Sequence, residues 1–258
     1  MSAQRKLLAL AVAALAASSA HASLSVGSSA YTYTQNFDTL ATTGTTNAWA
    51  NDSTIAGWSL FRLSGAAVTS YEASIGNSNT GKAYSYGAAG STDRALGSQA
   101  SGSFDAYIAV SFTNNTGGAL SGFNIGFDSE QWRNGGNTTA QSFVLQYGFG
   151  SSFAAVTNWS TPGALFNAVS VVNTATAAAV NGNVAGLSAG RGGEVVTDWA
   201  AGSTLWIRWA DVNDAGNDHG LAIDNVSFSV SAVPEPESYA LMLAGLGAVA
   251  FMARRRKA

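Results

Sequence analysis

The sequence predicts an all-β protein: an antiparallel, jelly-roll-like β-sandwich, flanked by an N-terminal signal helix and a C-terminal hydrophobic helix. Three observations carry that reading. Between residues 23 and 232 apolar side chains recur with period two, the mark of half-buried strands. Clusters of turn residues, such as Asn114-Asn115-Thr116-Gly117-Gly118 and Asn134-Gly135-Gly136-Asn137, separate the runs. No stretch of this region has the spacing of a long amphipathic helix, and strand and helix patterns do not alternate. Ala175 to Val180 supplies at most one or two helical turns.

At the start of the chain, Arg5 and Lys6 precede the apolar run Leu7 to Ala17, and Ala20-His21-Ala22 forms a small-x-small cleavage site before Ser23. Residues 1–22 therefore read as a secretory signal peptide, with signal peptidase as the first partner. The absence of cysteine fits an exported protein that does not rely on disulfides. Residues 23–232 then form one exterior domain, long enough to bury a core. Six basic and thirteen acidic side chains give this region a net charge of −7, against −3 for the whole chain. A basic nucleic-acid footprint is missing, so no nucleic-acid partner is expected.

Within the exterior region the alternation is explicit. Ile108, Val110 and Phe112 alternate with Tyr107, Ala109 and Ser111; Phe123, Ile125 and Phe127 with Asn124, Gly126 and Asp128. Phe143, Leu145, Tyr147 and Phe149 continue the pattern, as do Leu205, Ile207 and Trp209, and then Val226, Phe228 and Val230. Trp206 and Trp209 fall on opposite strand faces, which places one in the core and leaves the other free for the surface. Most of the seven tryptophans are expected inside.

Several residues have chemistry beyond packing. Asp211, Asn213, Asp214, Asp218 and Asp224 put four carboxylates and an amide within fourteen residues around a glycine-containing loop. Such oxygens suit calcium, although the spacing is not that of an EF-hand; the other reading is a solvated acidic loop making its own turn hydrogen bonds. Asp128 and Glu130 share a strand face with Trp132, a pair of carboxylates beside an aromatic ring. That pattern serves a sugar-contacting surface or a glycosidase, or closes a strand end as an ordinary ion pair with Arg133. Gly186-Leu187-Ser188-Ala189-Gly190 matches the nucleophile-elbow pattern, with His219 downstream. No buried apolar strand precedes it and Gly192-Gly193 stand where a helix would start, so a chance match is preferred and no catalytic residue is assigned.

At the other end, Val233-Pro234-Glu235-Pro236 is followed by the uncharged run Tyr239 to Ala253 and by Arg254-Arg255-Arg256-Lys257. Fifteen helical residues span roughly 22 Å, somewhat short of a hydrocarbon core of about 30 Å. Flanking side chains make up the difference, and the basic cluster stays cytoplasmic as a membrane stop. Proline-acid motif, apolar segment and arginine cluster in this order resemble the PEP-CTERM sorting tail of Gram-negative surface proteins.

That resemblance implies an exosortase-type protease as partner, cleavage near Pro234, transient residence of helix 239–253 in the inner membrane, and association with extracellular polysaccharide. The stretches Phe127 to Asn137, Asn181-Gly182-Asn183 and Leu205 to Asn225 resemble β-sandwich domains that precede such tails or sit beside extracellular nucleases and phosphoesterases. This second resemblance implies a non-catalytic module that binds glycan or a partner protein; the alternative is an extracellular glycoside hydrolase using Asp128 and Glu130. An ice-binding label accompanies some proteins with this tail, but the sandwich lacks the regular threonine array that ice contact needs. Three segments are therefore expected: signal peptide 1–22, sandwich 23–232 and sorting tail 233–258.

Overall fold

Alternating side chains need a layer to bury one face against, and here two sheets supply it for each other. The computed structural model describes residues 23–232, together with 244–246 and 252. The signal segment 1–22, the motif Val233–Pro236, most of the helix expected over 239–253 and the cluster Arg254–Lys257 lie outside the described residues; 244–246 and 252 are helical. Among the described residues no helix is long and apolar enough to cross a membrane.

The first strands are β1 (Leu24–Val26), β2 (Thr32–Gln35), β3 (Asn47–Ala48), β4 (Trp58–Phe61) and β5 (Ser70–Ser74). They are followed by β6 (Lys82–Tyr86), β7 (Ala95–Gln99), β8 (Ala106–Asn114), β9 (Leu120–Asn134) and β10 (Ser142–Phe149). Last come β11 (Ala168–Val169), β12 (Ala178–Ala179), β13 (Leu187–Trp199), β14 (Thr204–Asp211) and β15 (Gly220–Ala232). One sheet runs β1-β8-β14-β10-β11, with β4 also on β8. The other runs β12-β9-β15-β7-β6-β5-β3, with β13 added to β9 and β2 to β15.

The all-β, sandwich-like class expected from the sequence is what the chain forms. It differs in detail: β1 pairs with β8, and β5 with β6, in parallel. Side-chain alternation is the same in either strand direction, so periodicity could not have given this. The short helix allowed at Ala175 to Val180 is instead extended, because Ala178 and Ala179 pair with Asn134 and Arg133.

Between the sheets, Phe112 of β8 stacks on Phe228 of β15 at 3.8 Å, and Trp209 of β14 meets Phe127 of β9 edge-on at 5.3 Å. Two smaller apolar clusters lie on the outer faces. One holds Trp206 under Phe153 and Val156; the other joins Trp132 to Tyr84, Tyr86, Ala95 and Ala222. The expectation that only one of Trp206 and Trp209 is interior is therefore corrected. They do lie on opposite faces, but the segment around the 3-10 turn Phe153–Ala155 folds over the outer one, and both are buried.

Candidate functional site

The acidic stretch begins where β14 ends. Asp211 is buried and accepts a 2.6 Å hydrogen bond from Ser98 Oγ of the opposite sheet. Burial pushes its pKa well above the usual carboxylate range, with Asp218 and Asp214 adding to the rise. Asp218 is also buried, and its Oδ1 accepts from the Asp214 amide at 2.8 Å. Burial raises the pKa of both Asp214 and Asp218.

The loop itself is tied down by amide side chains. Asn137 Nδ2 donates to the carbonyls of Ala215 and Asn217, at 2.9 and 3.0 Å, and Gln141 Nε2 donates to Asn217 at 3.0 Å. Gln99 Nε2 donates to the Asp218 carbonyl at 3.1 Å. His219 Nδ1 accepts from the Gly135 amide at 2.9 Å, which puts the imidazole proton on Nε2 in its neutral form. Burial lowers the His219 pKa, opposed by the Thr139 backbone and Asp214.

Asp224 is not part of this loop. It lies inside β15, paired in register with Asp128 of β9, on the outer face of the larger sheet. The five oxygen donors read together from the sequence thus fall into two places, because β15 carries Asp224 away from the loop. Among the described residues no group of three or more His, Asp or Glu side chains is placed to hold a metal ion.

On that outer face the structure brings Asp224 to Asp128, Glu130 and Trp132. Glu130 is 3% exposed and its Oε2 accepts from Trp132 Nε1 at 2.7 Å. Burial raises the Glu130 pKa to about 7 against the Trp132 hydrogen bond, with Asp93 and Asp128 adding to the rise. Asp224 is raised to about 8, first by burial and then by Glu130, Asp93 and Asp38; its Oδ1 has no hydrogen-bond partner. Asp128 is half-buried and accepts from the Gly190 amide at 2.8 Å and from Asn225 Nδ2 at 3.1 Å. Trp132 stacks on Tyr86 at 6.2 Å, and Gly182 lies directly against its indole. Trp132 is thus a core side chain under the 181–186 segment, and Glu130 and Trp132 offer a ligand no open surface in this arrangement.

Ser188 sits in β13 opposite Ser129, with Arg191 Nη1 3.4 Å from its hydroxyl. This is an extended edge strand and not a strand-to-helix elbow. His219 precedes Gly220, which pairs with Arg133 four positions further along β9 and on the other side of that strand. The two residues of the pattern are not brought together.

A cleft of about 330 Å³ opens beside the acidic loop. Its walls include Asn79, Gln99, Ser101, Arg133, Asn213 and Asp218. Asn213, Asp218 and Arg133 stand out in the sequence; Asn79 and Gln99 do not. Gln99 reaches its partner Asp218 across 119 residues, and no local pattern signals a contact of that range.

Among known proteins, the family model described as a PEP-CTERM protein-sorting motif matches residues 232–257. Two solved structures from Porphyromonas gingivalis W83 resemble the chain. The K1 cleaved adhesin domain of Lys-gingipain is 14% identical, with 79% of this chain and 99% of that chain covered and a TM-score of 0.38. The K3 cleaved adhesin domain of the same protein is 14% identical, with 67% and 91% covered and a TM-score of 0.35. No curated protein matches the chain significantly.

Proposed function

We propose, from the premise that this chain carries a PEP-CTERM sorting tail and is exported to the cell surface, that it is a non-catalytic binding protein of the extracellular matrix. In this reading signal peptidase removes residues 1–22, and the segment 239–253 holds the chain in the inner membrane for a time. An exosortase-type protease then cuts near Pro234 and releases a jelly-roll-like sandwich, residues 23–232, that engages extracellular polysaccharide. The observation that carries the reading is the position of the tail: the motif begins at residue 232, where β15 ends, so the address follows directly on the folded body.

Of the carboxylates that a hydrolase would use, Glu130 is buried against Trp132, and the half-buried Asp128 accepts from Gly190 and Asn225. This supports the non-catalytic part of the reading. A glycoside hydrolase keeps one observation in its favour: Glu130 holds its proton to about pH 7, as a general acid must. That chemistry needs the 181–186 cover to open.

The test is retention of the full chain, purified in detergent, on the producing organism's exopolysaccharide, in calcium and again in chelator. Retention in both conditions is the expected result. Loss on chelation would assign the acidic loop to calcium, with Asn213, Asp214 and Asp218 as its oxygen donors. Release of reducing sugar that disappears in Asp128→Asn and Glu130→Gln would replace the binding reading with the hydrolase.

A further inference from the structure

We propose that the cleft at the loop end of the sandwich binds a neutral, hydroxyl-rich ligand, a saccharide unit. The inference rests on the matrix-binding reading above and gives it a site.

The cleft is built by segments far apart in the chain. The β5–β6 connection brings Asn79, the end of β7 brings Gln99, β9 brings Arg133, and the β14–β15 loop brings Asn213 and Asp218. The last of these walls is held before any ligand arrives. Asn137 and Gln141 donate to the carbonyls of Ala215 and Asn217, and Gln99 donates to that of Asp218. Side-chain amides fixing a loop through its carbonyls reduce the ordering that binding would otherwise require.

The lining selects the ligand class. Small-molecule sites are mostly apolar with a few polar groups, and clefts of about 300–1,000 Å³ are usual. This one has an ordinary size, but its lining residues are chiefly polar: asparagines, a glutamine, a serine, one arginine and one aspartate. Arg133 is the one basic and Asp218 the one acidic residue of the lining, so no cluster of like charge selects an anion or a cation. Among the described residues no three acidic or imidazole side chains are placed to hold a metal. Amides offer both donors and acceptors, and a sugar hydroxyl both donates and accepts.

Two lining residues also keep hydrogen-bonding capacity that the protein does not use. Gln99 is 5% exposed; its Nε2 is engaged by the Asp218 carbonyl, but its Oε1 has no partner. Arg133 reaches the carbonyls of Gly76 and Asn77 through Nη1, at 3.2 and 3.4 Å, while its Nε has no partner. Both atoms are buried within the wall, so a ligand reaches them only when the side chains turn toward the cleft, and buried polar groups are ordinarily paired.

Three positions allow the site to be altered without disturbing the fold. Asn79 and Asn213 are exposed. At Gly102, which also lines the cleft, a side chain would meet nothing within 4 Å of its Cβ. The probes are oligosaccharides cut from the producing organism's exopolysaccharide, separated into a neutral and a uronate-containing pool. Binding to the detergent-purified full chain is followed by saturation-transfer NMR, beside the retention assay on intact polysaccharide. The neutral pool is expected to bind. Asn79→Ala/Asn213→Ala and Gly102→Trp are expected to weaken binding about tenfold or more at unchanged Tm. Wild-type affinity in those variants, preference for the uronate pool, or retention on intact polysaccharide with neither pool bound would each overturn the cleft and leave matrix binding standing. No retention and no binding by the wild type would remove both.

Discussion

Trp58 and Trp209 stack 6.1 Å apart in the core, yet their indole nitrogens differ: Trp58 Nε1 donates to Tyr33 Oη at 2.9 Å and Trp209 Nε1 has no partner. Replacing either by Phe leaves a similar void, but only Trp58→Phe breaks a hydrogen bond, while Trp209→Phe removes a buried orphan. Trp58→Phe is expected to cost about 1–2 kcal/mol more in urea unfolding; equal costs would show that the indole proton of Trp58 contributes nothing. The carboxyls make a second prediction. Glu130 and Asp224 keep their protons to about pH 7 and about pH 8, whereas in the unfolded chain they ionise near pH 4. Unfolding therefore releases protons over that window, and stability falls as pH rises from about 4 through about 8. Tm should be several degrees lower at pH 8.5 than at pH 5, and Glu130→Gln with Asp224→Asn should flatten the slope. His219, with its lowered pKa, acts in the opposite sense, and only on the acid side of its ordinary 6.5. At this scale the sequence shows which face a residue takes but not what covers it: Trp206 and Trp132 alternate as a strand should, and distant segments bury both.

Among the elements, the 181–186 segment does most to decide what the outer face of the larger sheet can do. Gly182 lies so close to the Trp132 indole that an added Cβ would overlap it. Gly182→Ala is expected to lower Tm by several degrees, and to cost markedly less in a Trp132→Leu background, since the two sites share one contact. Additive costs in thermal unfolding of the double variant would separate the cover from the ring. The strands with clean alternation, β8, β9, β10, β14 and β15, are legible because large apolar side chains line the face turned to the other sheet, although β8 and β14 are buried on the outer face as well. β13 was not: exposed along most of its length, paired only with β9 and interrupted by Gly190, Gly192 and Gly193, it shows no period. Short strands such as β3, β11 and β12 contain two residues each, too few for any pattern.

For the whole molecule, the sorting tail and the cleft differ in how they are written. The sorting motif is contiguous and could be read from its own residues. The cleft is assembled from positions more than a hundred residues apart, so its chemistry emerges only after folding; in the sequence Asn213 and Asp218 read as calcium donors beside Asp224, which the fold carries away into β15. Val233-Pro234-Glu235-Pro236 gives the prediction proper to this scale. Pro234→Ala/Pro236→Ala is expected to leave a longer precursor in the membrane fraction, seen by mass and fractionation, while the sandwich keeps its Tm. A variant processed and released like wild type would remove these prolines from recognition.

β15 occupies the middle of the nine-stranded sheet, with β9 along one side and β7 and β2 along the other, and the tail leaves from its last residue. Tension on the tail would therefore enter the sandwich through an interior strand. The hydrogen bonds to its neighbours then bear that load together, in shear, instead of opening one after another as at a peeled edge. A tether fixed there pulls on a strand with neighbours on both sides and not on an edge.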